Sequence, residues 1–227
     1  MAIFSGLQLM TSYFFLPETL PRERRTSMRP AAVLRNYSAV LRSQPFWLLT
    51  LALSCNFIGF FLYVSAAPIF VVQYLELSKA EFGWLFIPAT TGIIFGAYLA
   101  GKLAKRFTPL TAVSYGYLIM AGATVLNVVY NAFLPPVLPW VILPVALYTV
   151  GMSFVTPTIT LLTLDLFPSA RGMAASLQGF VQTMVMTLAS GLVAPLVADS
   201  GLAMALTVFC FLGARCLAWF CYTRLNR

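Results

Sequence analysis

The chain has 227 residues, 60% of them apolar and only 9% charged, with a net charge of +8 and no histidine. Ordinary soluble domains are about a quarter charged, so this composition excludes a water-soluble globular domain and implies a polytopic all-α membrane protein whose first partner is the lipid bilayer. The basic residues sit in short clusters between apolar runs, which fits membrane orientation and not nucleic-acid binding, and without histidine there is no Ser-His pair and no basis for a metal or other cofactor.

Residues 1–16, MAIFSGLQLMTSYFFL, are apolar but short for a hydrocarbon layer that needs about 20 helical residues. A secretory signal carries its positive charge ahead of the apolar stretch. Here Arg22, Arg24 and Arg25 follow it, so 1–16 is expected to be a partial transmembrane helix, the inner end of one whose outer end is shortened or absent. Residues 17–44 form a basic connector with six arginines against Glu18 and Glu23. After Pro30 the spacing puts Val33, Leu34, Tyr37, Val40 and Leu41 on one side and Arg35 and Arg42 towards another, the pattern of a short amphipathic helix on a membrane surface. A solvated linker fits the same composition.

Residues 45–227 then read as a six-helix bundle, with predicted spans at 45–75, 82–101, 110–131, 138–163, 173–198 and 202–222. The intervening segments alternate in charge. The arginine-rich connector, the Lys102, Lys105 and Arg106 cluster, the 164–172 segment and the Arg224 and Arg227 tail carry the basic residues, and they fall on one side of the membrane. The positive-inside rule makes that side cytoplasmic and puts the C-terminus there. Cys55, Cys210, Cys216 and Cys221 all lie in apolar runs without metal or disulfide spacing, and are expected as small core residues.

Polar groups inside hydrocarbon are costly and each needs a reason. Asn56 and Tyr63 share a face of the first span, near Phe60 and Pro68. Tyr148, Met152, Thr156 and Ile159 form a stripe on the fourth, and Gln178 and Gln182 point the same way on the fifth. Such groups serve equally as interhelical hydrogen-bond partners. Gly92 and Gly96 make a small-residue ridge, as do Ala175 and Gly179, allowing close helix packing either within the bundle or against another one. Arg215 is the one charge well inside a span. No acid lies deep in any span to pair with it, so its long stem is expected to reach the cytoplasmic headgroups.

Three local motifs point further: Pro17-Glu18-Thr19-Leu20 at the start of the connector, Gly101-Lys102-Leu103-Ala104-Lys105-Arg106 after the second span, and Phe167-Pro168-Ser169-Ala170-Arg171-Gly172 before the fifth. Together with the helix–connector–six-helix order, they resemble the C-terminal half of a major facilitator superfamily transporter, in the drug:proton antiporter group that includes the Bcr/CflA-type efflux proteins. The resemblance implies two six-helix bundles rocking around a midplane site, so an N-terminal bundle, on the same or a separate chain, is the expected partner. It also implies a bacterial inner-membrane location. The first, fourth and fifth helices of this half would line the cavity, making Asn56, Phe60, Tyr63, Tyr148, Met152, Thr156, Gln178 and Gln182 the expected contacts for a small lipophilic substrate.

The second motif is similar to the family's G-x-L-a-D-r turn, but Lys105 stands where the motif has aspartate. Gly101, Lys105, Arg106, Asp165 and Arg171 are therefore the expected gating set, with Asp165 free to pair with Lys105, Arg106 or Arg171; topogenic charge alone also accounts for the cluster. The missing deep carboxylate places any proton-coupling site in the other half. A metabolite or sugar carrier, and a truncated or split non-transporting subunit, remain as alternatives to efflux, while an enzyme has no catalytic set to use.

Overall fold

The computed structural model describes residues 2–15, 30–104 and 106–225. The motif at 17–20, Lys105 and the tail beyond Leu225 therefore lie outside the described residues. Every regular element among them is helical. α1 (Ala2–Phe15) precedes the connector and exposes its large apolar side chains from Phe4 to Phe15. α2 (Pro30–Leu41) covers the amphipathic stretch. The bundle consists of α3 (Gln44–Ile69), α4 (Gly83–Leu103), α5 (Pro109–Phe133), α6 (Leu143–Asp165), α7 (Arg171–Leu188), the short α8 (Ala194–Val197) and α9 (Gly201–Leu225). A wide π turn at Phe70–Tyr74 extends α3, and another at Ala189–Val193 joins α7 to α8. Six continuous segments are thus long and apolar enough to cross a membrane, and the chain is a multi-pass membrane protein.

Local sequence explains the boundaries. Ser43 accepts from the Phe46 amide at the start of α3, Thr108 does the same for Thr111 at α5, and proline occupies the first turn of both helices. The fourth predicted span begins too early. Residues 138–142 form turns, and α6 starts at Leu143, where Pro144 falls in a first turn that has no need of its missing amide hydrogen. Ahead of α4, the Ser78 backbone N–H and hydroxyl both donate to the Glu81 carboxylate, at 2.9 and 2.8 Å. These two bonds hold that carboxyl below the usual carboxylate range.

α6 lies at the centre, packed between α4 and α5, while α3 packs on α9 and makes smaller contacts with α6 and α7. The buried core combines Leu49, Leu62, Phe70, Leu85, Met120, Val155, Ile159 and Met204. On the outer faces Leu118, Leu161, Leu196 and Leu217 are exposed, as expected of a surface solvated by lipid. Gly92 and Gly96 sit against α6, where a Cβ would strike the Ala146 and Val150 carbonyls. That close approach lets the Thr149 hydroxyl donate to Ala89 O at 2.9 Å, joining α6 to α4. Ala175 and Gly179 instead lie on the exposed side of α7, and a Cβ on Gly179 would meet nothing within 4 Å.

α2 turns part of its apolar side to α7 and α3, with Val40 buried and the Tyr37 hydroxyl 3.4 Å from Ser176 Oγ, and leaves Leu34 and Leu41 exposed. One expectation is corrected here: the cysteines are not core residues. Cys210 and Cys216 lie on the exposed face of α9 and the other two are half-buried, because a thiol meets lipid about as comfortably as it meets an apolar core.

Candidate functional site

Three features inside the spans are candidates for a site. The deepest centres on Arg215, fifteenth residue of α9 and 0% exposed. Its Nη1 donates to the Tyr148 hydroxyl at 3.0 Å and to Met120 Sδ at 3.3 Å. The guanidinium carbon lies 5.2 Å from the Tyr117 ring centroid and 5.3 Å from that of Tyr148, placing the cation over two aromatic faces. Tyr148 in turn donates to the Asn56 carbonyl at 2.9 Å, and the Asn56 amide lies beside the Tyr117 hydroxyl. α3, α5, α6 and α9 each contribute to this cluster.

Arg215 therefore does not snorkel. About ten residues, or roughly 15 Å of helix, separate it from the end of α9. Its stem stays inside because two tyrosines and a thioether, which are invisible to any single-helix pattern, accept the guanidinium there.

The second group lies nearer the opposite membrane surface. Asn127 Nδ2 donates to the Tyr63 hydroxyl at 2.7 Å. Asn131 Nδ2 donates to the Asn127 carbonyl and to its Oδ1, both at 2.9 Å, and the Tyr74 hydroxyl donates to Asn131 Oδ1 at 3.2 Å. This chain links α3 to α5. Replacing Asn127 with leucine is expected to lower stability by about 1.5 kcal/mol in a thermal unfolding assay in micelles, because the buried Tyr63 hydroxyl loses its donor. Asn131→Leu, half-buried, should cost less.

The third group is a cleft of about 620 Å³ between α4 and α6, bordered by Phe57, Ile93, Ala97, Met152, Thr156 and Pro157. The hydroxyl-bearing residues along it are Ser153, Thr156 and Thr158, and Thr156 already donates to the Met152 carbonyl at 2.7 Å. Gly101 and Ala104 close it at the connector side.

The eight expected cavity residues are thus distributed among different surroundings. Met152 and Thr156 border the cleft, Asn56 and Tyr148 belong to the arginine cluster, and Tyr63 belongs to the asparagine chain. Phe60 is half-buried. Gln178 is buried and donates to Thr163 Oγ1 at 3.1 Å, joining α7 to α6, while Gln182 is half-buried one turn on. In the expected gating set, Asp165 pairs with Arg171 at 2.6 Å on the connector side, with both side chains mostly exposed, so the pair contributes little stability. Arg106 and Gly101 are exposed. Sequence reasoning missed Tyr117, Met120 and the asparagine chain, although Asn127 and Asn131, four residues apart within one apolar span, were a readable signal.

The relatives of this chain are longer polypeptides. Multidrug transporter MdfA of Edwardsiella piscicida is 24% identical over 189 residues, covering 82% of this chain and 45% of the relative. MdfA of Escherichia coli O157:H7 is 26% identical over 192 residues, covering 81% and 43%. Multidrug resistance protein MdtM of Salmonella typhimurium is 24% identical over 163 residues, covering 72% and 39%. The chain thus spans less than half the length of these relatives. Residues 1–193 match the model of the Major Facilitator Superfamily, and with six membrane-length helices behind that match the chain belongs to this superfamily.

Proposed function

We propose that the chain acts as the C-terminal half of a proton-coupled efflux carrier for lipophilic, drug-like molecules, alternating access against an N-terminal six-helix bundle. The observation that carries this reading is the cleft between α4 and α6. It is large enough for such a ligand and its lining is almost wholly apolar, with Met152 and Thr156 reaching it from the stripe expected to contact substrate. Dispersion on such a wall tolerates many shapes, while a few hydroxyls orient the cargo. The multidrug transporters among its relatives, which are about twice its length, support both the substrate class and the need for a second bundle.

On this reading the protein is a carrier and not an enzyme. The connector and C-terminus face the cytoplasm of a bacterial inner membrane, a placement the positions of the basic segments support. The exposed Ala175 and Gly179 ridge of α7 faces the other bundle, and the Asp165–Arg171 pair belongs to the cytoplasmic gate.

The test is dye counterflow in liposomes under an imposed proton gradient, using the lipophilic cation ethidium. The purified chain alone is expected to give no counterflow above empty vesicles, and fusion to an N-terminal bundle from one of the multidrug relatives is expected to create it. Gradient-driven counterflow from a verified monomer would overturn the two-bundle reading. Failure of the fusion to move ethidium while moving a sugar would overturn the substrate class.

A further inference from the structure

Pro157 lies inside α6, and its ring nitrogen carries no hydrogen. The carbonyl of Ser153, one turn earlier, is thereby deprived of its i+4 backbone donor. Transmembrane helices commonly repair such a break with a serine or threonine hydroxyl. Here no side chain among the described residues donates to the Ser153 carbonyl, and the Thr156 hydroxyl donates instead to the Met152 carbonyl, at 2.7 Å.

Ser153 and Pro157 both border the cleft between α4 and α6 and stand four residues apart on one face of the helix, so the freed oxygen lies on that face. Thr158 borders the cleft as well, and neither its hydroxyl nor that of Ser153 makes a hydrogen bond among the described residues. Thr156 has committed its proton to Met152 and keeps only acceptor lone pairs. None of the side chains around the cleft contains nitrogen or carries a charge. The wall is therefore biased towards acceptors: one carbonyl and three hydroxyl oxygens against two uncommitted hydroxyl protons. A localised ammonium would enter such a site without a countercharge, at high cost. Neutral or charge-delocalised N–H groups, as in aryl amines and amides, avoid that cost and still find an oxygen.

We infer that the Ser153 carbonyl, with the Ser153, Thr156 and Thr158 hydroxyls beside it, forms an acceptor site that selects lipophilic molecules bearing an aryl-amine or amide N–H. The inference rests on the efflux reading of the cleft and narrows its substrate class. The apolar walls hold many shapes, and the oxygen opened by Pro157 decides which end of the molecule lies against α6. A cargo without an N–H strips water from that oxygen and gives nothing back.

The experiment measures dye binding to the purified chain in lipid nanodiscs by fluorescence anisotropy, with protein-free discs subtracted. The probes are rhodamine 6G, whose ethylamino groups carry N–H, and rhodamine B ethyl ester, whose diethylamino groups carry none; both are delocalised monocations on the same ring system. The donor-free dye is the more apolar, so a cleft working by dispersion alone would prefer it. Rhodamine 6G is expected to bind about tenfold more tightly, the worth of one hydrogen bond to an otherwise unpaired oxygen. Pro157→Ala restores the backbone N–H that serves the Ser153 carbonyl and should abolish the preference. Thr158→Val keeps the shape, removes one oxygen and should reduce the preference, so it carries the test if Pro157→Ala does not fold. Equal or inverted affinities in the wild type would overturn the inference and leave the cleft a drug site, as would an undiminished preference in the folded variants. Binding of neither dye would overturn the inference and the efflux reading of the cleft together.

Discussion

Replacing Gly96 with leucine is expected to destabilise the bundle by about 3 kcal/mol, and Gly92→Leu by a similar amount. At both positions the first added carbon runs into α6: the Val150 carbonyl and Ser153 Cβ at Gly96, the Ala146 carbonyl and Thr149 hydroxyl at Gly92. Backbone carbonyls cannot rotate away as a flexible side-chain end can. The helices must separate, and the Thr149 hydrogen bond to Ala89 O breaks with them. The matched control is Gly179→Leu, where open space receives the side chain and the change should stay within about 0.5 kcal/mol. Thermal unfolding of the three variants in micelles checks the contrast, and equal losses at Gly96 and Gly179 would contradict it. Joined to a second bundle, Gly179→Leu should become damaging, since the proposed function covers that face.

The second large effect concerns Tyr148. Tyr148→Phe keeps the ring under the Arg215 cation but removes the hydroxyl that accepts from Nη1 and donates to the Asn56 carbonyl. The guanidinium then loses its only oxygen partner among the described residues in a closed interior, a change worth about 3 kcal/mol. Arg215→Met keeps much of the volume without the charge and should cost less than Tyr148→Phe. Combined with Tyr148→Phe it should recover most of the loss, giving a coupling energy of opposite sign to the single effect. An Arg215→Met variant weaker than Tyr148→Phe, with no recovery in the pair, would mean that the charge is no liability there.

These two cases mark what the sequence made legible. The six crossings could be read within a few residues because a span must meet a fixed thickness of hydrocarbon with its backbone internally bonded. The exception, the start of α6, lies where prolines 135, 136, 139 and 144 leave amide donors missing, so apolar composition and helicity part company. Side-chain partners were harder. Arg215 looked solvent-bound because its own helix offers nothing to hold it, and its partners Met120 and Tyr148 lie 95 and 67 residues away. The Tyr148, Met152, Thr156 and Ile159 stripe was legible as a face. Periodicity could not say that Tyr148 and Ile159 end up in the core while Thr156 borders the cleft.

The π turn at Phe70–Tyr74 and its counterpart at Ala189–Val193 bear on how knowledge passes between kin. A widened turn amounts to one residue inserted into a regular helix, and each residue rotates the following face by about 100°. A relative lacking either insertion would present different side chains beyond it, so residue equivalences drawn straight through these two positions without a gap would pair inward-pointing groups with outward-pointing ones. Deleting one residue at either point should rotate the outer tip of that helix and leave its inner two-thirds in register.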